Sequence, residues 1–369
     1  MNKAQLHSHF KNLEYPLANA MWDFSWIERR YTGGGYENWN SILDELKIRG
    51  YDAVRIDAYP HLVSKDPGEE WLLLPEWSVH DWGSPGNIKV QIQPNLNIFI
   101  EKCAERNIKI MLSTWWRKNK NNNIKNINTP KNLAEAWEST LDTINEAGLL
   151  ENIFYVDICN EYPHPDWSKF LPEDYDNHYC HNDYKPWMEK STKILKSKYP
   201  SIPFTFSFFG NEWLQVNETL PYLDFLEIHV WMANFSNFEK DLDYHWEPHN
   251  NLEYNKIQKA EKLYREEEKY WKKRLLKGIN FCRQISENIE LPLITTEAWG
   301  PITYKDWPML DWEWVKEICA YGVRKACQTK RWASMCTSNF SGPQFKGMWQ
   351  DIEWHRELTD MIHTSEFNL

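Results

Sequence analysis

The sequence predicts an α/β fold, specifically a (β/α)8 TIM barrel with long βα loops. Strand and helix patterns alternate along the whole 369-residue chain, which favours parallel strands joined by helices. Two glutamates far apart in the sequence each follow a short, β-rich apolar run, and a closed barrel brings such strand ends together. An open doubly wound sheet would place a glycine-rich phosphate turn after its first strand. The nearest match, Gly33-Gly34-Gly35, lacks the spaced glycines and is interpreted as a turn or lid.

Hydrophobic periodicity assigns the individual elements. Strands are predicted at 17–22, 53–57, 109–113, 153–161, 203–208, 225–231, 292–296 and 332–337. Helices are predicted at 37–47, 95–107, 132–147, 186–198, 254–286, 312–330 and 351–363, where apolar residues recur at helical spacing. Because α/β barrels with loop insertions run past about 250 residues as one domain, residues 1–369 are predicted to form a single domain.

The composition argues against several kinds of partner. A formal net charge of −11 disfavours nucleic acid, whose binding requires a basic surface. No apolar run is long enough to span a membrane, and the N-terminus lacks the apolar core of a signal peptide. A cytoplasmic location without a membrane partner is therefore predicted, no cofactor is predicted, and the oligomeric state is left open. The 22 tryptophans and 18 tyrosines supply amphipathic rings, which are typical of half-wet clefts.

Cysteine and histidine patterns give little support to a metal site. The seven cysteines are odd in number, and most lie in strand or helix patterns where a free thiol acts as a small apolar residue. His178, Cys180 and His181 are interpreted as a plain loop, because no second pair stands nearby at zinc-site spacing. His7 and His9 form a His-x-His pair, which leaves a metal-dependent amide or phosphoester hydrolase as an alternative. No apolar strand precedes that pair.

The carboxyl ends of the predicted strands carry the candidate functional residues, because a barrel of this kind has its active site there. Glu161 and Glu297 close the fourth and seventh strands. A carboxylate at a buried strand end is costly unless it has a partner or a chemical role. Indoles, amides and an arginine accompany the glutamates, and this set suits the apolar faces and hydroxyls of a sugar. The candidate substrate-binding residues are Trp22, Arg55, Asp57, Trp115, Trp116, Asn160, His229, Trp231 and Trp299.

These residues resemble the motifs of cellulase-like glycoside hydrolases of clan A, over nearly the whole chain. In that clan an Asn-Glu pair ends the fourth strand and a second Glu ends the seventh, as Asn160-Glu161 and Glu297 do here. Arg55 matches the arginine of the second strand, and His229 matches a position on the sixth. The resemblance implies a retaining hydrolase of a β-glycosidic bond, with Glu161 as general acid/base, Glu297 as nucleophile and a carbohydrate as the partner.

The resemblance also implies how the two carboxyl groups are tuned. Arg55 would keep Glu297 ionised, and the negative charge of Glu297 would raise the pKa of Glu161 so that it stays protonated at neutral pH. Asn160 would hydrogen-bond the 2-hydroxyl of the sugar beside the nucleophile.

The chain departs from the clan at three strand ends, which leaves the substrate open. Segments 113–116 and 337–340 lack the histidine and the tryptophan that usually end the third and eighth strands. Trp231 stands where a tyrosine is common. Long loops at 59–93 and 163–187 are expected to wall the cleft into a pocket, which favours terminal cleavage of small glycosides.

Each assignment has a structural alternative. The two glutamates are also compatible with salt-bridged scaffold residues, and His229 with a hydrogen-bonded core residue. Arg55 and Asp57 lie two apart on one strand, which permits a purely structural ion pair. Each tryptophan is individually compatible with packing. A sugar-binding barrel without catalytic activity is the main alternative function.

Overall fold

A closed barrel of eight parallel strands forms the centre of the molecule. The computed structural model describes residues 9–10, 12–78, 80–171, 181–210, 214, 219–233, 238–244 and 251–368. The strands are β1 (Leu17–Asp23), β2 (Ala53–Asp57), β3 (Lys109–Ser113), β4 (Ile153–Asp157), β5 (Phe204–Thr205 and Ser207–Phe209), β6 (Leu226–Trp231), β7 (Leu293–Thr295 and Ala298–Trp299) and β8 (Trp332–Cys336). The predicted α/β class and TIM barrel are confirmed.

The two pieces of β5 close the ring. Its first piece pairs with β4 and its second piece pairs with β6, while β8 pairs with β1. All neighbouring strands are parallel. Apart from Lys109, residues of β1 to β4 are buried, because the barrel interior covers one face and the helices cover the other. This explains why the strands read as continuous apolar runs rather than alternating ones.

Six helices stand at the positions predicted from helical spacing, and a seventh, Glu268–Ile289, covers only part of the helix predicted over 254–286. They are Trp39–Ile48, Asn95–Ala104, Pro130–Glu146, His181–Lys198, Glu268–Ile289, Glu313–Thr329 and Ile352–His363. The third shows why the sequence folds in this way: Thr129 caps it by accepting a hydrogen bond from the Asn132 amide at 3.1 Å. Its apolar stripe, which includes Leu133, Trp137 and Leu141, is buried.

The βα loops at the carboxyl ends of the strands are long, as predicted. The loop after β2 contains the helix Pro60–Val63 and an antiparallel ribbon of Glu70–Leu73 with Ile88–Gln91. Further short helices are Ser25–Glu28, Phe238–Asp241 and Lys346–Trp349, and 3-10 turns span Asn123–Asn126 and Leu150–Asn152. None of the described helices combines the length and the apolar content that crossing a membrane requires. The six described cysteines are free thiols.

Two predicted elements differ from the structure, whereas the glycine segment is a turn as predicted. Strand β4 ends at Asp157, four residues before Glu161, because the backbone turns there. The single helix predicted over 254–286 is instead three helices, Asn251–Ile257, Ala260–Glu266 and Glu268–Ile289. The three glycines form a turn in which the amides of Gly33 and Gly35 both donate to the Glu37 carboxylate, so they bind an internal anion rather than a phosphate.

Candidate active site

A cavity of about 340 Å³ opens at the carboxyl ends of the strands and holds both predicted glutamates. Its lining comes from segments that follow β1 to β7, so residues far apart in sequence meet there. Its aromatic lining consists of Phe24, Trp77, Trp82, Trp115, Trp167, Phe209 and Trp231. Its acidic lining consists of Asp23, Glu161, Asp166, Glu239 and Glu297. Rings beside hydrogen-bonding groups suit a ligand with both apolar faces and hydroxyls.

Arg55 is buried on β2 and is the shared cation of three carboxylates beneath the cavity. Its Nη1 donates to Oε1 of Glu297 at 3.0 Å, and its Nη2 forms an ion pair with Asp157. Its Nε lies 3.4 Å from Oε1 of Glu227, and Nη2 also donates to Oδ1 of Asn160 at 2.8 Å. Burial alone would lower the pKa of Arg55, but the carboxylates raise it above its ordinary value. A permanent cation therefore joins the ends of β2, β4, β6 and β7.

Glu161 is held firmly by groups from three other segments. Its backbone is left-handed, with φ of 47°, and its amide donates to Oγ of Ser207 at 2.8 Å. Its Oε1 lies 2.8 Å from Nδ1 of His229, and its Oε2 accepts a hydrogen bond from Nε1 of Trp167 at 3.0 Å. Both carboxylate oxygens therefore have a nitrogen donor.

His229 stands between the two glutamates. Its Nδ1 lies 3.8 Å from Oε1 of Glu297, and its Nε2 lies 3.6 Å from Oε1 of Glu227. Burial alone would lower the pKa of His229, but the charge of Glu297 and the hydrogen bonds with Glu161 and Glu227 raise it to about 10. The imidazole is therefore a cation at neutral pH, and it bridges the predicted acid/base and the predicted nucleophile.

The pKa shifts expected for the two glutamates are wrong in direction. Burial tends to raise the pKa of Glu161, but the hydrogen bond and charge of His229, the charge of His164 and the Trp167 hydrogen bond together lower it. Burial, assisted by the charge of Glu161, raises the pKa of Glu297 to about 7, although the positive charges of His229 and Arg55 act to lower it. The physical reason is that Arg55 is shared among three carboxylates, whereas Glu161 has two donors of its own.

Asn160 presents an unused donor to the cavity. Its Oδ1 accepts from Arg55, and its side chain is 1% exposed. Its Nδ2 has no hydrogen-bond partner among the residues that the structure describes. Because a buried amide without a partner is costly, this donor points to a ligand group that completes it.

Asp57 lies outside the cavity lining, which corrects its prediction as a substrate-binding residue. Its Oδ1 accepts from the amide of Tyr59 at 2.7 Å and its Oδ2 accepts from the amide of Trp115 at 3.0 Å. Both oxygens therefore hold the loops after β2 and β3. The alternative ion pair with Arg55 is also wrong, because Arg55 pairs with Asp157, Glu227 and Glu297.

Of the predicted tryptophans, only Trp115 and Trp231 line the cavity. Trp22 donates to the Ser341 carbonyl at 3.0 Å and Trp299 to the Cys336 carbonyl at 2.9 Å, both within the fold. Trp116 packs against His61 and Phe170, with ring centroids at 5.4 and 5.1 Å. These three indoles are corrected to packing residues, because they belong to the layer between the barrel and the helices.

Among the residues that the structure describes, one cluster has the composition of a metal site, and it is the cluster at the base of the cavity. Ligand atoms of Glu161, His229 and Glu297 all lie within 4.8 Å of one another. The guanidinium of Arg55 already pairs with Glu297, and His229 is cationic, so the donor set is an ion-pair network that fits a divalent cation poorly.

His9 packs on Phe154 with ring centroids at 5.2 Å. His7, His178 and Cys180 lie outside the described residues, as does the side chain of His181.

Sequence reasoning missed several residues of the site. Glu227 and His229 are two apart on β6 and both are fully buried, so strand alternation was a usable signal for Glu227. Asp157 is the buried last residue of β4, so its place on a strand was a usable signal as well. No periodic signal exists for Trp167, which lies in an irregular segment after β4, or for Glu239, which lies in the four-residue helix Phe238–Asp241 after β6. Burial raises the pKa of Glu239 to about 7.

The fold, with a carboxylate cluster at the carboxyl ends of its strands, is a barrel of the cellulase-like type. A family model described as "Sugar-binding cellulase-like" matches residues 19–363, and the chain belongs to this cellulase-like family. No curated protein sequence matches the chain.

Solved structures agree with this class. A presumed glycoside hydrolase from Parabacteroides distasonis is 43% identical, with a TM-score of 0.92, covering 96% of this chain and 95% of that one. An endo-β-1,4-mannanase from Thermotoga petrophila is 13% identical with a TM-score of 0.55, covering 96% and 78%. An endocellulase from Pyrococcus horikoshii is 12% identical, also with a TM-score of 0.55, covering 94% and 93%. The last two similarities concern the fold alone.

Proposed function

We propose that the protein is a retaining glycoside hydrolase that cleaves a β-glycosidic bond in a small glycoside or oligosaccharide. The observation that carries the proposal is the pair Glu161 and Glu297, with side-chain oxygens within 4.8 Å, at the base of an aromatic cavity. Two carboxyl groups about 5–5.5 Å apart are typical of double displacement, since no water fits between them and the sugar. Tryptophan walls on several sides support terminal cleavage rather than cleavage within a long polymer.

In the reacting protonation state Glu161 carries the proton and Glu297 is ionised, which is the reverse of the order that their pKa shifts favour and is therefore a minor state. In the first step Glu297 attacks the anomeric carbon while Glu161 protonates the leaving oxygen. The attack forms the glycosyl–Oε bond and breaks the bond to the leaving group, which departs as an alcohol. The neighbouring cation of Arg55 orients the nucleophile at 3.0 Å. The free Nδ2 of Asn160 supports hydrogen bonding to a sugar oxygen beside Glu297.

In the second step the ionised Glu161 removes a proton from water, and the resulting oxygen nucleophile breaks the glycosyl–enzyme ester. The proton taken from water replaces the one that left with the alcohol, so Glu161 is again protonated, and Glu297 returns as a carboxylate. The Nδ1–H of His229, 2.8 Å from Oε1 of Glu161, stabilises the anionic form that this step needs. Two inversions at the anomeric carbon give net retention.

Retention can be measured directly. With an aryl β-glycoside, proton NMR during the first minutes of hydrolysis is expected to detect the β-anomer of the released sugar before mutarotation. The expected result follows from attack by Glu297 and then by water on opposite faces. An initial α-anomer would contradict the nucleophile role of Glu297, even if both glutamates proved essential.

The acid limb of the pH profile is expected to report Glu297. Its pKa is raised to about 7, and only the ionised form attacks, so kcat/KM should fall about tenfold per unit as pH drops below about 7. The measurement is kcat/KM against pH with an activated aryl β-glycoside. Burial is the main cause of the raised Glu297 pKa and persists in Glu161→Gln, but the added effect of the Glu161 charge is gone, so the limb should move to lower pH. A limb that stays in place in this variant would refute the assignment.

A further inference from the structure

Glu239 is an acid of the cavity lining to which the proposed mechanism gives no role. It lies in the short helix Phe238–Asp241 after β6, and it is half-buried beside the cavity. Apart from its own backbone amide, its carboxyl group has no hydrogen-bond or ion-pair partner among the residues that the structure describes. Burial without a neighbouring cation is the reason that its pKa is raised.

The other four acids of the lining have surroundings that support their charge. The two glutamates of the catalytic proposal have the donors described above. The Ser25 amide donates to the carboxyl group of Asp23. The side chain of Asp166 is 46% exposed and is therefore open to solvent. Because a buried polar group without a partner is costly, the carboxyl group of Glu239 is an acceptor that a ligand in the cavity would complete.

The place of Glu239 in the barrel relates it to one sugar ring of the substrate. Glu239 follows β6, which pairs with β7, the strand that carries Glu297. Ile302 and Thr303 follow β7 and line the same cavity. Glu161, which would protonate the leaving group, instead follows β4, two strands away from β6. Glu239 is therefore assigned to the ring that Glu297 attacks.

We propose that Glu239 is a specificity-determining residue that accepts hydrogen bonds from one or two hydroxyls of that sugar ring. An ionised carboxyl group has two acceptor oxygens and no donor, so it suits hydroxyl groups that donate. The Nδ2 of Asn160 supplies a donor in the same cavity. A site with both kinds of group distinguishes sugars by the positions of their hydroxyls. This role rests on the proposed hydrolase activity.

The helix that carries Glu239 is anchored to the helix layer, as selection among hydroxyl positions requires. The buried ring of Phe238 packs edge to face on Trp271, with centroids 4.9 Å apart. The amide of Leu242 donates to the Phe238 carbonyl at 3.1 Å. The amide of Tyr244 donates to the Glu239 carbonyl at 2.8 Å. The backbone of Glu239 is therefore held in place before any ligand arrives, which reduces the entropy lost on binding.

The test is a double-mutant cycle between the protein and the sugar. The substrates are the p-nitrophenyl β-glycoside that the wild-type protein cleaves fastest and the derivatives of it that each lack one hydroxyl. Glu239→Gln is expected to lower kcat/KM for the parent glycoside about tenfold. For one or two of the deoxy glycosides the loss should be less than about threefold, because the hydrogen bond is already missing. An equal loss on the parent and on every deoxy glycoside, or no loss on any, would overturn the proposal.

Asp241→Asn is the matched control for Glu239→Gln. Asp241 belongs to the same short helix, but it is exposed and is not part of the cavity lining. Its substitution removes the same charge from the helix and should change kcat/KM less than about twofold on every glycoside. A loss in Asp241→Asn that matches the loss in Glu239→Gln would assign the effect to the helix and would overturn the role of the Glu239 carboxyl group.

A binding measurement separates the role of Glu239 from the proposed hydrolysis. Tryptophan fluorescence is followed while the methyl β-glycosides of glucose, galactose, mannose and xylose are added to the wild-type protein and to Glu239→Gln. The sugar that binds the wild-type protein most tightly is expected to bind the variant about tenfold more weakly. If this difference is found but no glycoside is hydrolysed, the hydrolase proposal fails while the sugar contact stands. If glycosides are hydrolysed and the variant binds and cleaves them like the wild-type protein, the role of Glu239 fails alone.

Discussion

Replacing Glu297 or Glu161 by glutamine is expected to reduce hydrolysis of an unactivated β-glycoside by at least about a thousandfold, with the fold intact. Glu297→Gln removes the nucleophile, so its loss should be similar for every leaving group. Glu161→Gln removes only the proton donor and base, so a dinitrophenyl glycoside should still form the glycosyl–enzyme. The measurements are steady-state kinetics for activity and circular dichroism for the fold.

Azide separates the two glutamate variants further. It is a nucleophile that needs no base, and it should rescue Glu161→Gln by forming a β-glycosyl azide. A Glu297→Gln variant with wild-type rates would end the assignment. Binding of β-glycosides by the wild-type protein without any turnover would instead support the alternative of a sugar-binding barrel.

Replacing Arg55 by methionine is expected to have the largest effect on stability. The substitution leaves Asp157, Glu227 and Glu297 buried without their shared cation, and breaking a buried ion pair in this way costs about 3–5 kcal/mol. Urea unfolding of Arg55→Met should therefore show a clearly lower midpoint than the wild-type protein.

Arg106→Met is the matched control for Arg55→Met. Arg106 pairs with Asp44 near the surface, where the Asp44 side chain is 62% exposed, and such pairs contribute at most about 1 kcal/mol. An Arg55→Met variant as stable as Arg106→Met would show that the three carboxylates take up protons at little cost. The role of Arg55 as the permanent cation of the site would then have to be abandoned.

The barrel and the meeting of Glu161 and Glu297 could be predicted because they depend on long-range regularities. Alternation of strands and helices fixes the end of the barrel at which Glu161 and Glu297 meet, whatever the local backbone does. Arg55 and His229 could be predicted for the same reason, since both lie within strands.

The direction of individual side chains at the strand ends could not be predicted. Strand alternation breaks down there because Asp23, Trp116, Glu161 and Trp299 have left-handed backbones, with φ of 41°, 46°, 47° and 85°. Each such residue turns the chain, so neighbouring side chains no longer alternate between cavity and helix layer. This is why adjacent indoles such as Trp115 and Trp116 have different surroundings, and why the sequence alone cannot assign their roles. The direction of the pKa shifts of the two glutamates could not be predicted, because it depends on distances to several buried groups.

The buried cluster beneath the cavity has an electrostatic consequence for the reaction. Two cations, Arg55 and His229, face four carboxyl groups, those of Asp157, Glu161, Glu227 and Glu297. The cations lower the pKa of Glu161 and of Glu227, and burial raises the pKa of Asp157 only to about 6, so these groups are ionised and the cluster retains negative charge at neutral pH although the pKa of Glu297 is about 7. The negative electrostatic potential of the cluster does little for a neutral sugar, but it stabilises a sugar ring that gains positive charge as it becomes an oxocarbenium ion. In the proposed hydrolysis, the arrangement of these buried charges therefore favours the transition state over the substrate.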